Sequence, residues 1–338
     1  MPERNRQVVL KRRPNGMPVP EDFAIAEGAP PEPQPGEVLL RGLYLSLDPY
    51  MRGRISGQRS YARPTGIGEV IEGRVVGQVV RSRDPAFGEG DYAFGGYGWQ
   101  LYSAVPASGL LKLDPAEAPI STALGVLGMP GMTAYIGLAD IGQPKAGETV
   151  VVSAASGAVG AVAGQLAKAQ GARVVGIAGG ADKCRYVEAE LGFDAAVDHR
   201  GGDLGAALDR ACPNGIDVYF ENVGGAVQEA VFPRLNDFGR IVMCGMISEY
   251  NDASPRPGPN LGAVVRKRLK IQGFIVSDQR QRYGEFRAMA APLVRSGQLK
   301  YREDIVDGLE RAPDAFIGLL QGHNFGKLLV RLADDPTR

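Results

Sequence analysis

The sequence predicts a two-part α/β protein, in which a β-rich unit precedes a doubly wound unit with a six-stranded parallel sheet. Up to about residue 120, turn residues recur roughly every ten residues between short alternating runs, a pattern typical of an all-β unit. From Ala146 onward, strand-like runs alternate with helical runs, which favours right-handed β-α-β crossovers. The chain of 338 residues is long enough for about two domains.

The elements follow from local pattern. In the first part, runs at 37–41 and 70–80 predict strands, and the dense prolines at 30–35 predict an extended connection. The six strands of the parallel sheet are predicted at 149–153, 173–177, 195–197, 216–220, 239–244 and 269–276, with helices at 158–169, 181–191 and from 283 to about 296. The run at 326–332 alternates like a strand and should return to the β-rich unit. We therefore place the units at 1–125 and 126–300, with a returning segment at 301–338.

Composition excludes several functional classes. Lys and Arg number 38 and so do Asp and Glu, and the resulting zero net charge lacks the positive surface of a general nucleic-acid binder. Three Cys and two His are too few for a disulfide framework, or for a four-ligand zinc site beside a catalytic one. Cys184, Cys212 and Cys244 are expected to be free thiols in a cytoplasmic protein.

One uncharged stretch, 149–167, has the length of a membrane helix and contains Gly160-x-x-x-Gly164. Its β-branched first half, its Ala-rich second half and the glycines between them favour a strand, a turn and a helix instead. Near the N-terminus, the three apolar residues 8–10 are too few for a secretory signal. We expect no membrane contact.

The segment Ala154-Ala155-Ser156-Gly157-Ala158-Val159-Gly160, between a predicted strand and helix, is a variant of the glycine-rich dinucleotide fingerprint with Ala in the first Gly position. Gly157 would let the backbone approach a pyrophosphate, and Gly160 would permit close helix–strand packing. The amides of Ala158, Val159 and Gly160 would offer donors to the anion. The alternative is a tight turn that binds nothing.

An NAD site normally has a carboxylate at the end of the second strand, on the ribose hydroxyls. Here 173–180 contains no acid, and Lys183 follows in the first turn of the next helix, where a cation opposes the helix dipole. A bound 2′-phosphate would explain that cation, so the sequence favours NADPH. Asp182 could be the ribose acid but fits a helix N-cap better, and Lys183 could instead be a solvated surface lysine.

Several strings together resemble the zinc-independent medium-chain dehydrogenase/reductases, in the branch of leukotriene B4 dehydrogenase/prostaglandin reductase, 2-alkenal reductase and bacterial curcumin reductases. They span both units, at 45–52 (LSLDPYMR), 128–135 (GMPGMTAY), 219–225 (YFENVGG), 244–251 (CGMISEYN) and 324–327 (NFGK). The resemblance implies a Rossmann coenzyme domain and a GroES-like, partly open barrel as catalytic domain. It also implies NADPH-dependent reduction of the carbon–carbon double bond of α,β-unsaturated aldehydes and ketones.

The resemblance also assigns residues. Gly157, Ala158, Val159 and Gly160 would hold the pyrophosphate, and Lys183 the 2′-phosphate. The ribose and nicotinamide would be lined by Asn222, Cys244, Gly245, Met246, Ile247, Ser248, Tyr250, Phe274, Ile275, Val276 and Asn324, with Met129 beside them. His199 stands where the family usually has a phosphate-contacting Tyr. Its neighbour Arg200 would add positive charge there, whereas Asp198 would oppose it.

No Cys precedes Cys184 and neither His lies within 1–125, so direct carbonyl reduction would lack a zinc Lewis acid. In conjugate reduction, hydride enters the β carbon, an enolate develops that a neutral donor can stabilise, and a proton reaches the α carbon. Candidate proton donors are Tyr250, Tyr50 and the coenzyme ribose hydroxyl. Arg52 is expected to pair with Asp48 or with backbone carbonyls.

Two other functions remain open: an NADPH quinone oxidoreductase of the same fold, and a non-catalytic NADP(H)-binding protein. Loops at 56–66, 94–99 and 251–259 are expected to form the walls that select a small-molecule substrate. The strand at 269–276 is expected at an edge of the sheet. Because a long apolar edge invites pairing, we predict a homodimer joined through this edge.

Overall fold

The structure is a computed structural model that describes residues 4–58, 60–254 and 256–338. Its strands are β1 Asn5–Leu10, β2 Phe23–Gly28, β3 Glu37–Ser46, β4 Arg74–Ser82, β5 Tyr92–Tyr97, β6 Tyr102–Pro106, β7 Leu111–Leu113, β8 Thr149–Ser153, β9 Arg173–Ala178, β10 Ala195–Asp198, β11 Ile216–Glu221, β12 Leu235–Met243, β13 Lys270–Gly273, β14 Glu303–Asp307 and β15 Lys327–Arg331. Its helices are α1 Met51–Ser56, α2 Met129–Ile136, α3 Gly160–Ala169, α4 Ala181–Ala189, α5 Leu204–Ala211, α6 Gly225–Val231, α7 Gly262–Lys267, α8 Tyr283–Arg295 and α9 Ala312–Leu320.

The chain forms two compact units. The first comprises Met1–Leu124, Glu303–Asn324 and Leu328–Arg338, and the second comprises Gly125–Arg302 and Phe325–Lys327.

The first unit is built on a seven-stranded sheet in the order β14-β15-β3-β4-β5-β7, with β6 also paired to β3. The expected return of the C-terminal strand is confirmed: β15 pairs antiparallel with β3, with Leu329 opposite Ser46. The expectation of a loop at 94–99 is wrong, because β5 runs to Tyr97. Trp99 is fully buried there, stacked on Phe23 with ring centroids 6.0 Å apart. The aromatic packing of Trp99 removes it from any substrate wall.

The second unit confirms the predicted fold class. Six parallel strands lie in the order β10-β9-β8-β11-β12-β13. β8 is buried at every position, as expected for a central strand covered on both faces. The order reverses between β8 and β11, and in such sheets ligands bind at the carboxyl ends of the strands beside that point. Nowhere in the described ranges does a helix have the length and apolar character to span a membrane.

Two strand predictions need correction. β12 begins at Leu235, four residues earlier than expected, and β13 covers only Lys270–Gly273 instead of 269–276. The short β13 has a simple cause: Gly273 pairs with Met243, the last residue of β12, so residue 274 has no further partner on that strand. The edge position of β13 is as predicted.

Candidate coenzyme and catalytic site

The turn after β8 has the geometry of a phosphate-binding turn. A Cβ added to Gly160 would lie 2.4 Å from the carbonyl oxygen of Ala154, so only glycine lets α3 start this close to the strand. A Cβ on Gly157 would have a single close neighbour, that same oxygen at 3.1 Å, which leaves its other side open. Ala154 itself has φ +50°, a left-handed conformation that favours glycine. A closely approaching ligand therefore fits over Gly157.

At the end of β9, three cationic or ionisable side chains lie near the expected 2′-phosphate position. A Cβ on Gly179 would lie 2.8 Å from Nε2 of His199 and 3.0 Å from Nε of Arg200, so these two side chains cover the bare glycine backbone. Lys183 is half-buried in the first turn of α4. Two cations and an ionisable imidazole at this point fit an anionic substituent on the adenosine ribose.

Asp198 has a role that sequence reasoning missed. Its Oδ1 accepts hydrogen bonds from the amides of Gly180 (2.8 Å) and Arg200 (2.9 Å), and these amides hold the pKa of the carboxyl below its usual range. Asp198 therefore joins the loop after β9 to the loop after β10. The acidic signal was visible in the sequence, but its backbone partners were not.

The N-cap prediction for Asp182 is wrong. Gly180, with φ +94°, occupies the N-cap position of α4, and Asp182 lies inside the first turn, exposed and paired with Arg185. The glycine pair lets the chain turn sharply into the helix, which moves the helix start one residue ahead of Asp182. Asp182 is thus an ordinary surface ion-pair residue.

On the other side of the sheet's reversal point, a buried carboxylate fixes the turn after β11. Glu221 is fully buried, and its Oε1 accepts hydrogen bonds from Ser153 Oγ (3.0 Å) and from the amides of Val223 (2.7 Å) and Gly224 (3.0 Å). Asn222 donates from its amide to Ser153 Oγ and from Nδ2 to the Ser153 carbonyl, both at 2.8 Å. The ends of β8 and β11 are thus locked together.

The loop after β12 is bonded to that turn. The amide of Ile247 donates to the Asn222 carbonyl at 3.2 Å, and Ser248 Oγ donates to the Val223 carbonyl at 2.7 Å. Tyr250 folds back over its own loop, and its hydroxyl oxygen accepts from the Met246 amide at 3.3 Å. The predicted residues from Asn222 to Tyr250 therefore form one bonded edge.

Cys244 lies within that edge. Burial and the nearby Glu221 raise the pKa of its thiol to about 12, so it remains protonated. All three cysteines are free, as expected.

The other predicted coenzyme residues divide between the units. Phe274 and Ile275 follow the carboxyl end of β13, and Val276 begins the 3₁₀ turns that come next. Met129 begins α2 in the second unit. Asn324 belongs to the first unit, as does Tyr50.

Tyr50 precedes α1 in the first unit and is half-buried beside a buried cation. The Arg54 guanidinium lies 5.4 Å from the centre of the Tyr50 ring and 4.4 Å from that of Tyr61, and its Nε is 3.2 Å from Glu72 Oε2. Burial, with the negative charges of Asp48 and Glu72, raises the pKa of the Tyr50 hydroxyl above its ordinary value. The hydroxyl therefore keeps its proton and can donate a hydrogen bond.

Arg52 behaves as one of the expected options: its Nη2 donates to the carbonyl of Gly16 at 2.7 Å. Of the expected substrate loops, 56–66 contributes residues 62–65 to a cavity of about 460 Å³ in the first unit, which Glu69 and Glu72 also line. Arg59 in that loop, and Pro255 in the loop at 251–259, lie outside the described residues. In the part of the chain that the structure describes, no group of three or more His, Cys, Asp or Glu side chains is placed to hold a metal ion.

Fold and site together define a two-domain dinucleotide-dependent oxidoreductase. Residues 6–113 match a family model described as the N-terminal domain of oxidoreductase, and 158–294 match one described as zinc-binding dehydrogenase. The chain is 50% identical to the NADPH-dependent curcumin reductase of Escherichia coli (strain K12), over 98% of each chain. It is 42% identical to the NADP(+)-dependent 2-alkenal reductase of Nicotiana tabacum, over 97% of this chain and 98% of that one.

Among solved structures, CurA from Vibrio vulnificus in complex with NADPH superposes with a TM-score of 0.93 at 50% identity, covering 98% of this chain and all of that one (100%). These likenesses extend over both units. The chain belongs to the zinc-independent medium-chain dehydrogenase/reductases, in the branch of the curcumin, 2-alkenal and prostaglandin reductases.

Proposed function

We propose that this protein is an NADPH-dependent reductase of the carbon–carbon double bond in α,β-unsaturated aldehydes and ketones. The observation that carries the proposal is the likeness, along nearly the whole chain, to relatives named as reductases of curcumin and of 2-alkenals. The bare backbone at Gly157 and the cations beside Gly179 suit the pyrophosphate and the 2′-phosphate of NADPH.

We assign coenzyme binding to 126–300 and substrate binding to 1–125 together with 301–338. Within 126–300, the backbone amides of Gly157 to Gly160 hold the pyrophosphate. Lys183 and His199 hold the 2′-phosphate. The bonded edge from Asn222 to Tyr250, with Phe274 to Val276 and Met129, lines the ribose and nicotinamide, and Asn324 completes this lining.

NADPH, when bound, supplies the hydride that adds to the β carbon of the substrate. The protein's part is to hold the substrate carbonyl, stabilise the developing enolate with a neutral donor, and deliver a proton to the α carbon. Tyr50 suits the donor role because its environment keeps the hydroxyl protonated. Tyr250 suits it because the Met246 amide fixes the position of its oxygen.

The test is NADPH oxidation with a panel of alkenals, enones, quinones and saturated aldehydes, with NADH as the coenzyme control. We expect turnover of alkenals and enones, with the saturated carbonyl as the product identified by mass spectrometry. Quinones as the better substrates would favour the quinone oxidoreductase, and NADPH binding without oxidation across the panel would favour a non-catalytic protein.

Two variants identify the proton donor. The variants are Tyr50→Phe and Tyr250→Phe. The one that removes the proton donor should lower kcat about 100-fold, which is the lower end of general-acid contributions. Tyr92→Phe is the matched control, since Tyr92 lies on β5 outside the predicted substrate loops and its ring packs against the core of the first unit, a contact that Phe keeps. Full activity in both Tyr50→Phe and Tyr250→Phe would leave the ribose hydroxyl or water as the proton source.

We also propose that the protein is a cytoplasmic homodimer. All four residues of β13 are exposed at the open edge of the parallel sheet, and Ile271 there retains 38% of its surface. Such an edge is covered when two copies pair across a two-fold axis. The three free thiols suit a reducing compartment.

A further inference from the structure

His199 is held against the end of β9 by its own backbone. Its amide donates to the carbonyl of Ala178, the last residue of β9, at 3.0 Å. From there the imidazole extends over Gly179, with Nε2 only 2.8 Å from where a Cβ would lie. The ring thus lies at the point where the ribose of a dinucleotide would meet the second strand.

The charged groups that face His199 are Arg200 and Lys183, which are positive, and Asp198, which is negative. The carboxylate of Asp198 is already engaged by two backbone amides. Partial loss of water around the ring and the two nearby cations lower the pKa of His199 below its ordinary 6.5, against a smaller opposing effect of Asp198. Without an anion at this position, His199 is therefore neutral near pH 7.

We propose that His199 makes the preference for NADPH over NADH depend on pH, because it adds a positive charge beside the 2′-phosphate only when it is protonated. The inference rests on the proposed coenzyme site. The phosphate is the one group that distinguishes the two coenzymes, and two of its neighbours, Arg200 and Lys183, are cationic throughout the physiological range. His199 is the neighbour whose charge changes.

The direction follows from linkage. A bound phosphate favours the imidazolium, so the pKa of His199 is higher with NADPH than without it. The added affinity is complete below the pKa of the free protein and is lost as the pH rises through the pKa of the complex. The preference for NADPH should therefore be strongest near pH 6 and weakest near pH 8, and NADPH binding should take up protons.

The experiment measures the dissociation constants of NADPH and NADH at pH 6, 7 and 8 for the wild type, His199→Gln and His199→Lys. In the wild type, we expect the ratio of the NADH to the NADPH constant to fall about fivefold from pH 6 to pH 8, the effect of one partly screened charge pair. In His199→Gln, which has no charge at this position, the ratio of the NADH to the NADPH constant should be low at all three pH values. In His199→Lys, which is always positive there, the ratio should be high at all three. The second ionisation of the phosphate, near pH 6, also changes the ratio, and the two variants, in which residue 199 keeps one charge from pH 6 to pH 8, show its size.

Calorimetry in buffers of different ionisation enthalpy gives a second readout: wild type should take up protons on binding NADPH beyond those taken up by His199→Gln. Arg200→Gln is the control: it should weaken NADPH binding at every pH, and the pH dependence of the ratio should persist but move to higher pH, because a cation that lowers the pKa of His199 is removed. If His199→Gln showed the same change of the ratio with pH and the same proton uptake as the wild type, this inference would be overturned and the proposed function would stand. Equal affinity for NADPH and NADH at every pH would overturn both the inference and the proposed coenzyme.

Discussion

At the scale of single residues, Ala154 is the most informative position in the phosphate-binding turn. The sequence comparison with the glycine-rich fingerprint places an alanine where the motif has its first glycine, and the backbone there has φ +50°. An L-residue in this conformation costs roughly 1 kcal/mol relative to glycine. The chain thus carries a small strain at the point where β8 turns toward α3.

The substitution Ala154→Gly should therefore stabilise the protein. We expect the free energy of unfolding to rise by up to about 0.5 kcal/mol, since the relief of the left-handed strain exceeds the extra entropy of glycine in the unfolded chain. The measurement is the denaturant midpoint without coenzyme. Ala155→Gly, at a buried position with no such conformation, is the control and should destabilise. A lower midpoint for Ala154→Gly would contradict the strain argument.

At this scale, the sequence predicts which residue types form the phosphate-binding turn. It does not predict which backbone groups a buried or loop carboxylate will bind. Gly157 and Gly160 were predicted because the fingerprint has a fixed spacing after a strand. The roles of Asp198 and Glu221 were not, because each carboxylate binds backbone amides contributed by a different segment or by a turn whose shape the sequence does not encode locally. A lone acid in a sequence gives no sign of such partners.

At the scale of elements, the parallel sheet was predictable because buried β-branched runs recur between helical runs. All six strands were found, and the errors fall at strand ends in β12 and β13. The apolar run at 274–276 continues beyond β13 without sheet pairing to β12, so hydrophobicity alone overestimated the strand. Strand ends depend on the length of the neighbouring strand, which is a tertiary property.

The exposed edge of β13 gives a prediction about assembly. Ile271→Glu places a carboxylate on this edge. In the dimer, the carboxylates of the two copies would face each other across the two-fold axis, and their repulsion should dissociate the dimer at micromolar protein. Light scattering on the wild type and the variant measures this. Ile25→Glu is the matched control, because Ile25 is an exposed strand isoleucine of the first unit (46% exposed) and should leave the dimer intact. A wild type that is already monomeric at this concentration would refute the dimer.

At the scale of the whole molecule, the two units differ in whether their sheet is formed by one continuous segment or by segments distant in the sequence. The second unit obtains all six strands of its sheet from one continuous segment, Gly125–Arg302. The first unit needs its C-terminal segment: β15 covers the edge of β3 through pairs such as Val330 with Leu45, and Ser121 Oγ donates to Glu303 Oε2 at 2.9 Å. Sequence pattern predicted the returning strand, but its long-range partner on β3 came only from the structure.

This asymmetry predicts how fragments behave. The segment 125–302, expressed alone, should fold with a cooperative thermal transition, because it retains a complete parallel sheet and its buried core. The segment 1–124 should fail to fold or should aggregate, because removal of β15 leaves residues 44–46 of β3 without their strand partner at an open sheet edge. Circular dichroism and limited proteolysis measure both fragments. The control is 1–124 joined by a flexible linker to 303–338, which restores the missing strands. A cooperative transition from 1–124 alone would show that the returning segment is not required for that unit to fold.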